Sequence, residues 1–430
     1  MKPPVAGRRR LLAGAVAAAA WPLAACDRSG GRRPLRFWAM GREGEVAHAL
    51  LAGFRAEHPD IDLRIEQLPW TAAHEKLLTA FAGDATPDVA QIGNTWLPEM
   101  VALGAVQPLD ARLPQSPTIR PDDYFDGIWR TNVIDGQVQG LPWYVDTRLL
   151  YLRTDLLERA GFTEMPTTWA GWQQAMEGLQ RIGVAHPQLL PLNEFEPLLA
   201  LALQQDSPLL REGGRFGHFA SPGFERALGF YLRMFERGFA PSLTNNQVAN
   251  LWQEFGRGTF ALYISGPWNL GEFRRRLPAE LQGRWTTAPL PGPEGPGASI
   301  AGGSSLVMFR RSHAQAEAWA LIDYLARPAV QQHFYRLTGN LPPRRESWAE
   351  PALRQDAQAQ AFARQLERVQ PTPAVPEWER IAQEMQLMAA RAVHERTAPA
   401  TMARALDARV DGFLAKRRWM LDRASRKGAA

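Results

Sequence analysis

The chain has 430 residues, of which 45% are apolar and 22% are charged, and this length exceeds what a single hydrophobic core usually fills. Its net charge of +5 comes largely from residues 1–25, which contain Lys2, Arg8, Arg9 and Arg10 and no acid, so the remainder carries only +1. Because the sequence has no long basic stripe interleaved with aromatic residues, it argues against a nucleic-acid partner.

The N-terminus has the pattern of an export signal. Three arginines precede an apolar run at 11–25, which is too short to span a bilayer as a mature helix. The arginines resemble a twin-arginine signal, but Gly7 stands where that motif carries Ser or Thr, so the ordinary secretory route stays open. Leu23-Ala-Ala-Cys26 resembles a lipobox, and Cys26 is the only cysteine, which excludes an internal disulfide and a cysteine-based metal cluster. We therefore predict a signal peptide at 1–25 and a lipidated tether at 26–33, anchored through Cys26 to the periplasmic face of the inner membrane.

Residues 35–92 predict a βαβαβ unit. Apolar residues alternate as expected for strands near 35–38, 61–65 and 88–92, and helical spacing separates these runs. Such a unit favours a largely parallel sheet whose ligand binds beyond the carboxyl ends of the strands. The loops expected there are 41–45, 70–71 and 93–96.

The segment 140–155 is the expected pivot of the chain. A bend at Gly140 and Pro142 precedes two aromatic residues and one acid, and an apolar strand follows at 149–152. A crossover between two lobes that lines a cleft would have this composition, but so would a turn with core aromatics before a central strand. The sequence leaves the role of Gly302 and Gly303 undecided in the same way. They permit close approach of a ligand or of a second backbone, or they mark a bulge or hinge.

Junctions near 143–148, 299–303 and 328–343 predict that each lobe is assembled from discontinuous pieces. We assign 34–143 plus 303–335 to lobe 1, and 144–302 plus 336–430 to lobe 2.

Seven motifs, in matching order over nearly the whole mature chain, resemble the extracellular sugar-binding proteins of ABC importers. They lie at 81–89, 104–110, 140–148, 166–169, 264–268, 302–306 and 338–342, and include Gly-Leu-Pro-Trp-Tyr-Val-Asp-Thr-Arg at 140–148 and Ser-Gly-Pro-Trp at 265–268. The resemblance implies a type II periplasmic-binding-protein fold, in which two α/β lobes, each a mixed, mostly parallel sheet flanked by helices, close on a ligand.

The resemblance also implies a set of ligand-binding residues. At one of these positions, Thr95 stands where relatives often carry Asp. The expected site comprises Glu43, Asn94, Thr95, Trp96, Tyr144, Asp146, Asn193, Trp268, Gly302, Gly303, Ser304 and Arg344.

These residue types suit a sugar, since carboxylates and amides pair with ring hydroxyls and aromatic planes cover ring faces. Within the family the combination resembles binders of trehalose and maltose. The implied protein is a monomeric lipoprotein that delivers a disaccharide to an ABC permease, with no cofactor, metal or catalytic residue. Another oligosaccharide or glycerol 3-phosphate is the alternative ligand. A periplasmic glycoside hydrolase and a scaffolding lipoprotein are the alternative protein classes, although the 8 histidines form no close pair typical of a metal site.

Overall fold

The computed structural model describes residues 33–248 and 250–428. The predicted signal peptide, the lipidation site Cys26 and residues 26–32 of the predicted tether lie outside the described residues. Within the described ranges, no helix combines the length and the apolar character needed to cross a membrane.

The strands of the described residues are β1 (Leu35–Met40), β2 (Leu63–Leu68), β3 (Val89–Gly93), β4 (Val133–Ile134), β5 (Gln137–Val138), β6 (Leu141–Asp146), β7 (Leu149–Arg153), β8 (Gln188–Leu189), β9 (Leu210–Arg211), β10 (Phe216–Gly217), β11 (Leu262–Ser265), β12 (Trp285–Ala288), β13 (Ser299–Ile300), β14 (Gly302–Met308) and β15 (Val369–Gln370).

The α-helices are α1 (Gly41–Leu50), α2 (Ala52–Glu57), α3 (Trp70–Ala82), α4 (Leu97–Ala102), α5 (Asp126–Arg130), α6 (Thr154–Arg159), α7 (Trp169–Arg181), α8 (Glu196–Leu203), α9 (Pro222–Glu236), α10 (Leu251–Arg257), α11 (Trp268–Arg276), α12 (Gln315–Ala326), α13 (Pro328–Thr338), α14 (Pro351–Arg354), α15 (Ala357–Leu366), α16 (Trp378–Glu395), α17 (Pro399–Phe413) and α18 (Ala415–Gly428).

The expected βαβαβ unit forms one half of a five-stranded sheet. Its strand order is β2-β1-β3-β14-β6, in which β1 pairs in parallel with β2 and β3, and β14 runs antiparallel to β3 and β6. Strand β1 is apolar apart from the half-buried Arg36, because both of its faces are covered. Phe37 and Ala39 pack in one cluster with α12, whereas Trp38 and Met40 pack in another with α3 and α4.

A four-stranded sheet forms the core of the second lobe, in the order β12-β7-β11-β8. Leu150 and Leu152 of its central strand β7 face α7 and α9, and Leu149 and Tyr151 face α11 and α15. Only β8 and β11 pair in parallel, so this sheet is mostly antiparallel, unlike the mostly parallel sheet expected. An apolar run indicates burial on both faces but does not reveal the direction of the neighbouring strands.

The chain crosses between the two sheets more than once. Only Thr147 and Arg148 separate β6 in the first sheet from β7 in the second. The chain returns from β12 in the second sheet to β14 in the first through β13, which pairs with β15 in a separate two-stranded sheet. Strand β6 runs to Asp146, past the expected lobe boundary at 143, because its last residues still pair with β14. The two-lobe α/β fold expected from the sequence is confirmed. Repeated crossings let such lobes hinge without separating.

Candidate ligand-binding site

A cavity of about 500 Å³ lies where the strands of both sheets end. This volume falls within the range of small-molecule sites. Helices begin at its wall where loops were expected: α1 starts at Gly41 directly after β1, and α3 starts at Trp70. A 3₁₀ turn, Asn94–Trp96, follows β3 in the same way. The residues that line the cavity are Glu43, Trp70, Gly93, Asn94, Thr95, Trp96, Tyr144, Val145, Asp146, Arg148, Phe195, Glu196, Leu199, Pro267, Trp268, Ile300, Gly302, Gly303, Asn340, Thr372 and Glu379.

Glu43 is held in place by two neutral donors. It lies in the first turn of α1 and is buried. Asn340 donates its Nδ2–H to Oε1 at 2.6 Å, and the indole N–H of Trp70 donates to Oε2 at 3.4 Å. These bonds come from residues far apart in the chain, and they orient the carboxylate at the cavity wall.

Aromatic rings cover two sides of the cavity. Trp70 and Trp96 meet edge to face, with ring centroids 5.6 Å apart. Trp268 lies across the cavity and is 45% exposed, which is unusual for so large an apolar side chain. The guanidinium carbon of Arg148 lies 4.5 Å from the centre of the Trp268 ring, so this indole covers a cation.

The two glycines that begin β14 are required by the backbone of β6. A Cβ atom on Gly302 would lie 2.2 Å from the carbonyl oxygen of Asp146, and one on Gly303 would lie 2.2 Å from that of Tyr144. Gly303 also has a φ of 141°, which L side chains rarely adopt. Of the alternatives left open by the sequence, close approach of a second backbone accounts for this pair, and that approach brings β14 to the cavity.

An ion-pair network centred on Arg148 joins the lobes. Arg148 donates from Nη1 to Asp146 at the end of β6, and from Nη2 to Oε1 of Glu196 in α8 at 2.6 Å. The side chain of Arg148 is only 11% exposed, whereas those of Asp146 and Glu196 are 31% and 24% exposed. The Asp146 and Glu196 carboxylates outweigh burial and raise the pKa of the Arg148 guanidinium, which stays charged.

Burial and neighbouring charges also shift the pKa values of Asp146 and Tyr144 in the cavity. Burial raises the pKa of Asp146, although the charge of Arg148 opposes the shift. Burial, together with the Glu43 and Asp146 carboxylates, raises the pKa of Tyr144 well above its ordinary value. The Tyr144 hydroxyl is therefore a neutral group, available to a ligand as donor or acceptor.

The structure brings together most of the residues expected from the sequence. Those that line the cavity are Glu43, Asn94, Thr95, Trp96, Tyr144, Asp146, Trp268, Gly302 and Gly303.

Asn193, Ser304 and Arg344 do not line the cavity. Asn193 accepts a hydrogen bond from the backbone of Asn245 at the surface. Ser304 is buried in β14 and donates to the carbonyl oxygen of Ile92. Arg344 is 2% exposed and pairs with Asp123 outside the cavity. In each case the side chain is hydrogen-bonded within the protein at a position outside the cavity.

Sequence reasoning missed several polar lining residues. Arg148 and Asn340 belong to the 140–148 and 338–342 motifs, but neither of them nor Glu196 was placed in the expected site. Glu379 and Thr372 carried no sequence signal, because only the docking of α16 and of the segment before it brings them to the cavity.

Glu194 lies just outside the cavity. We predict that the titration of its carboxyl group makes the stability of the protein depend on pH. Burial raises its pKa from the ordinary 4.5, and the Asn245 hydrogen bond opposes this. Because the folded-state pKa is the higher one, the folded state holds its proton more tightly, and unfolding free energy is lost as pH rises from about 4.5 through the raised value. The stability of Glu194→Gln relative to the native protein should therefore increase between pH 4 and pH 7, measured by urea unfolding.

Asp155 provides the opposite case. Burial alone would raise its pKa, but the Arg153 hydrogen bonds and charge hold it below the ordinary 3.8. Its stabilising contribution is present above 3.8 and is lost as pH falls, so Asp155→Asn should lose stability relative to the native protein as pH rises. Parallel trends in the two variants would contradict one of the two assignments, and reversed trends would contradict both.

Comparison with known proteins agrees with this architecture. A family model described as bacterial extracellular solute-binding protein matches residues 40–332, more than half of the chain. The chain belongs to this family. Among solute-binding proteins of solved structure, the sugar-binding protein MalE from Xanthomonas citri is 50% identical, with a TM-score of 0.89 over 91% of this chain and 99% of that one.

Two curated solute-binding proteins are more distant. The diacetylchitobiose binding protein DasA of Streptomyces coelicolor is 23% identical over 319 residues, 74% of each chain. The maltodextrin-binding protein MdxE of Bacillus subtilis is 24% identical over 258 residues, 57% of this chain and 59% of that one. In this solute-binding protein, the described side chains contain no group of three or more His, Cys, Asp or Glu that could hold a metal ion.

Proposed function

We propose that this solute-binding protein captures a glucose disaccharide, trehalose or maltose, between its lobes and delivers it to the permease of an ABC importer. The carrying observation is that one cavity combines aromatic rings with hydrogen-bonding carboxylates. Trp70, Trp96 and Trp268 offer faces for sugar C–H groups, while Glu43 and Asp146 offer charged acceptors for hydroxyls.

The similarity to a sugar-binding protein at 50% identity supports a saccharide over other solutes. The names of the diacetylchitobiose and maltodextrin binders support the same ligand class. Closure would follow from a ligand that contacts both lobes, since binding shifts the population toward the form it fits best.

The remaining parts of the proposal concern the setting of the protein. We place it outside the cytoplasm as a monomer, exported by the signal at 1–25 and anchored through lipidated Cys26. It acts as a carrier and not as a glycoside hydrolase. Incubation with trehalose or maltose should release no glucose, and release of glucose would require the hydrolase alternative.

The deciding experiment is isothermal titration of the mature chain, from Asp27 onward, with trehalose, maltose, sucrose, glucose and glycerol 3-phosphate. Saturable heat is expected for trehalose or maltose. Trp268→Ala should weaken that binding by about tenfold to a hundredfold, because it removes an aromatic face.

Trp419 is the matched control. It is another exposed tryptophan, 58% accessible, but it lies on α18 away from the cavity. Trp419→Ala should leave the dissociation constant unchanged. Binding heat for glycerol 3-phosphate alone would mean that the ligand is a polyol phosphate and not a sugar. The absence of binding heat for all five compounds would contradict the proposal.

A further inference from the structure

The described lining of the cavity carries an excess of negative charge. It includes four carboxylates, Glu43, Asp146, Glu196 and Glu379, and one cation, Arg148. With all five ionised, the lining has a net charge of −3.

The partners of these groups show where that charge remains available. Arg148 is already bound by Asp146 and Glu196. Glu43 accepts only from neutral donors, so its hydrogen bonds leave its charge uncompensated. Glu379 is half-buried and differs from the others: within the described residues it has no hydrogen bond and no ion pair with another side chain. It is the lining carboxylate that a ligand meets without displacing a protein partner.

Three helices, α1, α8 and α16, begin at the cavity wall. The N-terminus of a helix carries partial positive charge and commonly binds phosphate or carboxylate groups of ligands. Here the first turns of α1, α8 and α16 already carry Glu43, Glu196 and Glu379. The protein's own carboxylates therefore occupy the positions at which an anionic ligand would be stabilised.

We propose, building on the sugar site above, that the cavity selects saccharides by charge. It admits neutral and cationic saccharides and excludes phosphorylated sugars and uronic acids, and Glu379 is a specificity-determining acceptor for a ligand hydroxyl or ammonium group. An anionic ligand would lose its hydration beside a net negative charge of three, whereas a hydroxyl or an ammonium gains a charge-assisted hydrogen bond.

Three ligands of nearly equal size separate charge from shape. They are trehalose, the analogue in which one primary hydroxyl is replaced by an amine, and the analogue in which that carbon is oxidised to a carboxylate, with the same series built on maltose. Titration at pH 7 should give an affinity for the amine equal to or above that of the parent. The carboxylate should bind at least about tenfold more weakly, because like charges repel across a site of low polarity.

Glu379→Gln tests the assigned residue. It keeps the size and one acceptor but removes the charge, so the ratio of the carboxylate to the amine dissociation constant should shrink by about threefold or more. Glu395→Gln is the matched control, since it makes the same change at the exposed C-terminal end of the same helix, and should leave the ratio unchanged. Melting temperatures establish that both variants are folded. Glu379→Asp, which keeps the charge, should preserve the ratio.

The outcomes separate this inference from the sugar proposal. If neither trehalose nor maltose binds, the proposed function fails and the charge selection falls with it. If the parent binds and the carboxylate analogue binds equally well, the sugar site stands and the charge selection is wrong. Loss of selectivity in Glu395→Gln, or its full retention in Glu379→Gln, would overturn the role of Glu379.

Discussion

Replacing Arg344 with alanine is expected to lower the free energy of unfolding by about 3 kcal/mol, at the low end of the cost of breaking a buried ion pair, because Asp123 is 31% exposed. Arg344 donates to the carbonyl oxygens of Ala326 at 3.0 Å and Thr118 at 2.8 Å, and to Oδ2 of Asp123 at 2.7 Å. All three acceptors would lose a charged donor. Urea unfolding monitored by tryptophan fluorescence measures the change, and the affinity of the folded variant for trehalose or maltose should be unaltered.

The neighbouring Arg345 provides a control of the same residue type. It pairs with Glu367, but both side chains are exposed, at 42% and 49%. Arg345→Ala should therefore cost no more than about 1 kcal/mol. If Arg344→Ala instead weakened sugar binding while stability stayed the same, Arg344 would belong to the ligand site, as the sequence predicted.

The error at Arg344 shows what a motif lacks. The 338–342 motif led to the expectation that the arginine just beyond it faces the ligand, but a motif does not state where a side chain points. Residue 344 forms a β-bridge with Tyr124, and its side chain continues away from the cavity. Asn340, four residues earlier, is the residue that reaches Glu43.

The segment expected to bend at Gly140 and Pro142 is the strand β6, and the alternation of its side chains answers the question left open at the pivot. Side chains alternate along a strand, so residues two apart share a face. On β6 this places Tyr144 and Asp146 at the cavity, while Trp143 packs in the core against Phe334 with ring centroids 4.5 Å apart. Both interpretations of the pivot aromatics therefore hold. Trp143 packs in the core on one face of the strand, and Tyr144 lines the cavity on the other.

The sequence did not predict the contacts between side chains that lie far apart in the chain. Arg148 and Glu196 are 48 residues apart, and Glu43 and Asn340 are 297 apart. No local pattern encodes such pairs, since they arise only when the two lobes assemble. For this reason the sequence identified the first-sheet wall of the cavity well, but missed the side chains that join it to the second lobe.

Arg148→Ala is expected to damage stability and binding together. Removing the guanidinium leaves Asp146 and Glu196 as adjacent carboxylates with no cation between them. Because these acids are partly exposed, the loss in unfolding free energy should be about 3 kcal/mol, at the low end for a buried pair. Sugar affinity should fall by at least about tenfold, since Asp146 is no longer held in position and Trp268 loses the cation beneath its ring.

Two further variants isolate the ion-pair network as the cause. Arg64→Ala removes an exposed arginine from its pair with Asp62, with side-chain exposures of 69% and 50%, and should cost no more than about 1 kcal/mol. In Arg148→Ala/Glu196→Ala the repulsion between carboxylates is removed as well, so the double variant should recover part of the stability lost in Arg148→Ala. Additive losses in the double variant would mean that Arg148 stabilises the junction by packing alone. Partial recovery would instead establish that the residues between β6 and β7 join the lobes electrostatically at the point where the ligand is expected to bind.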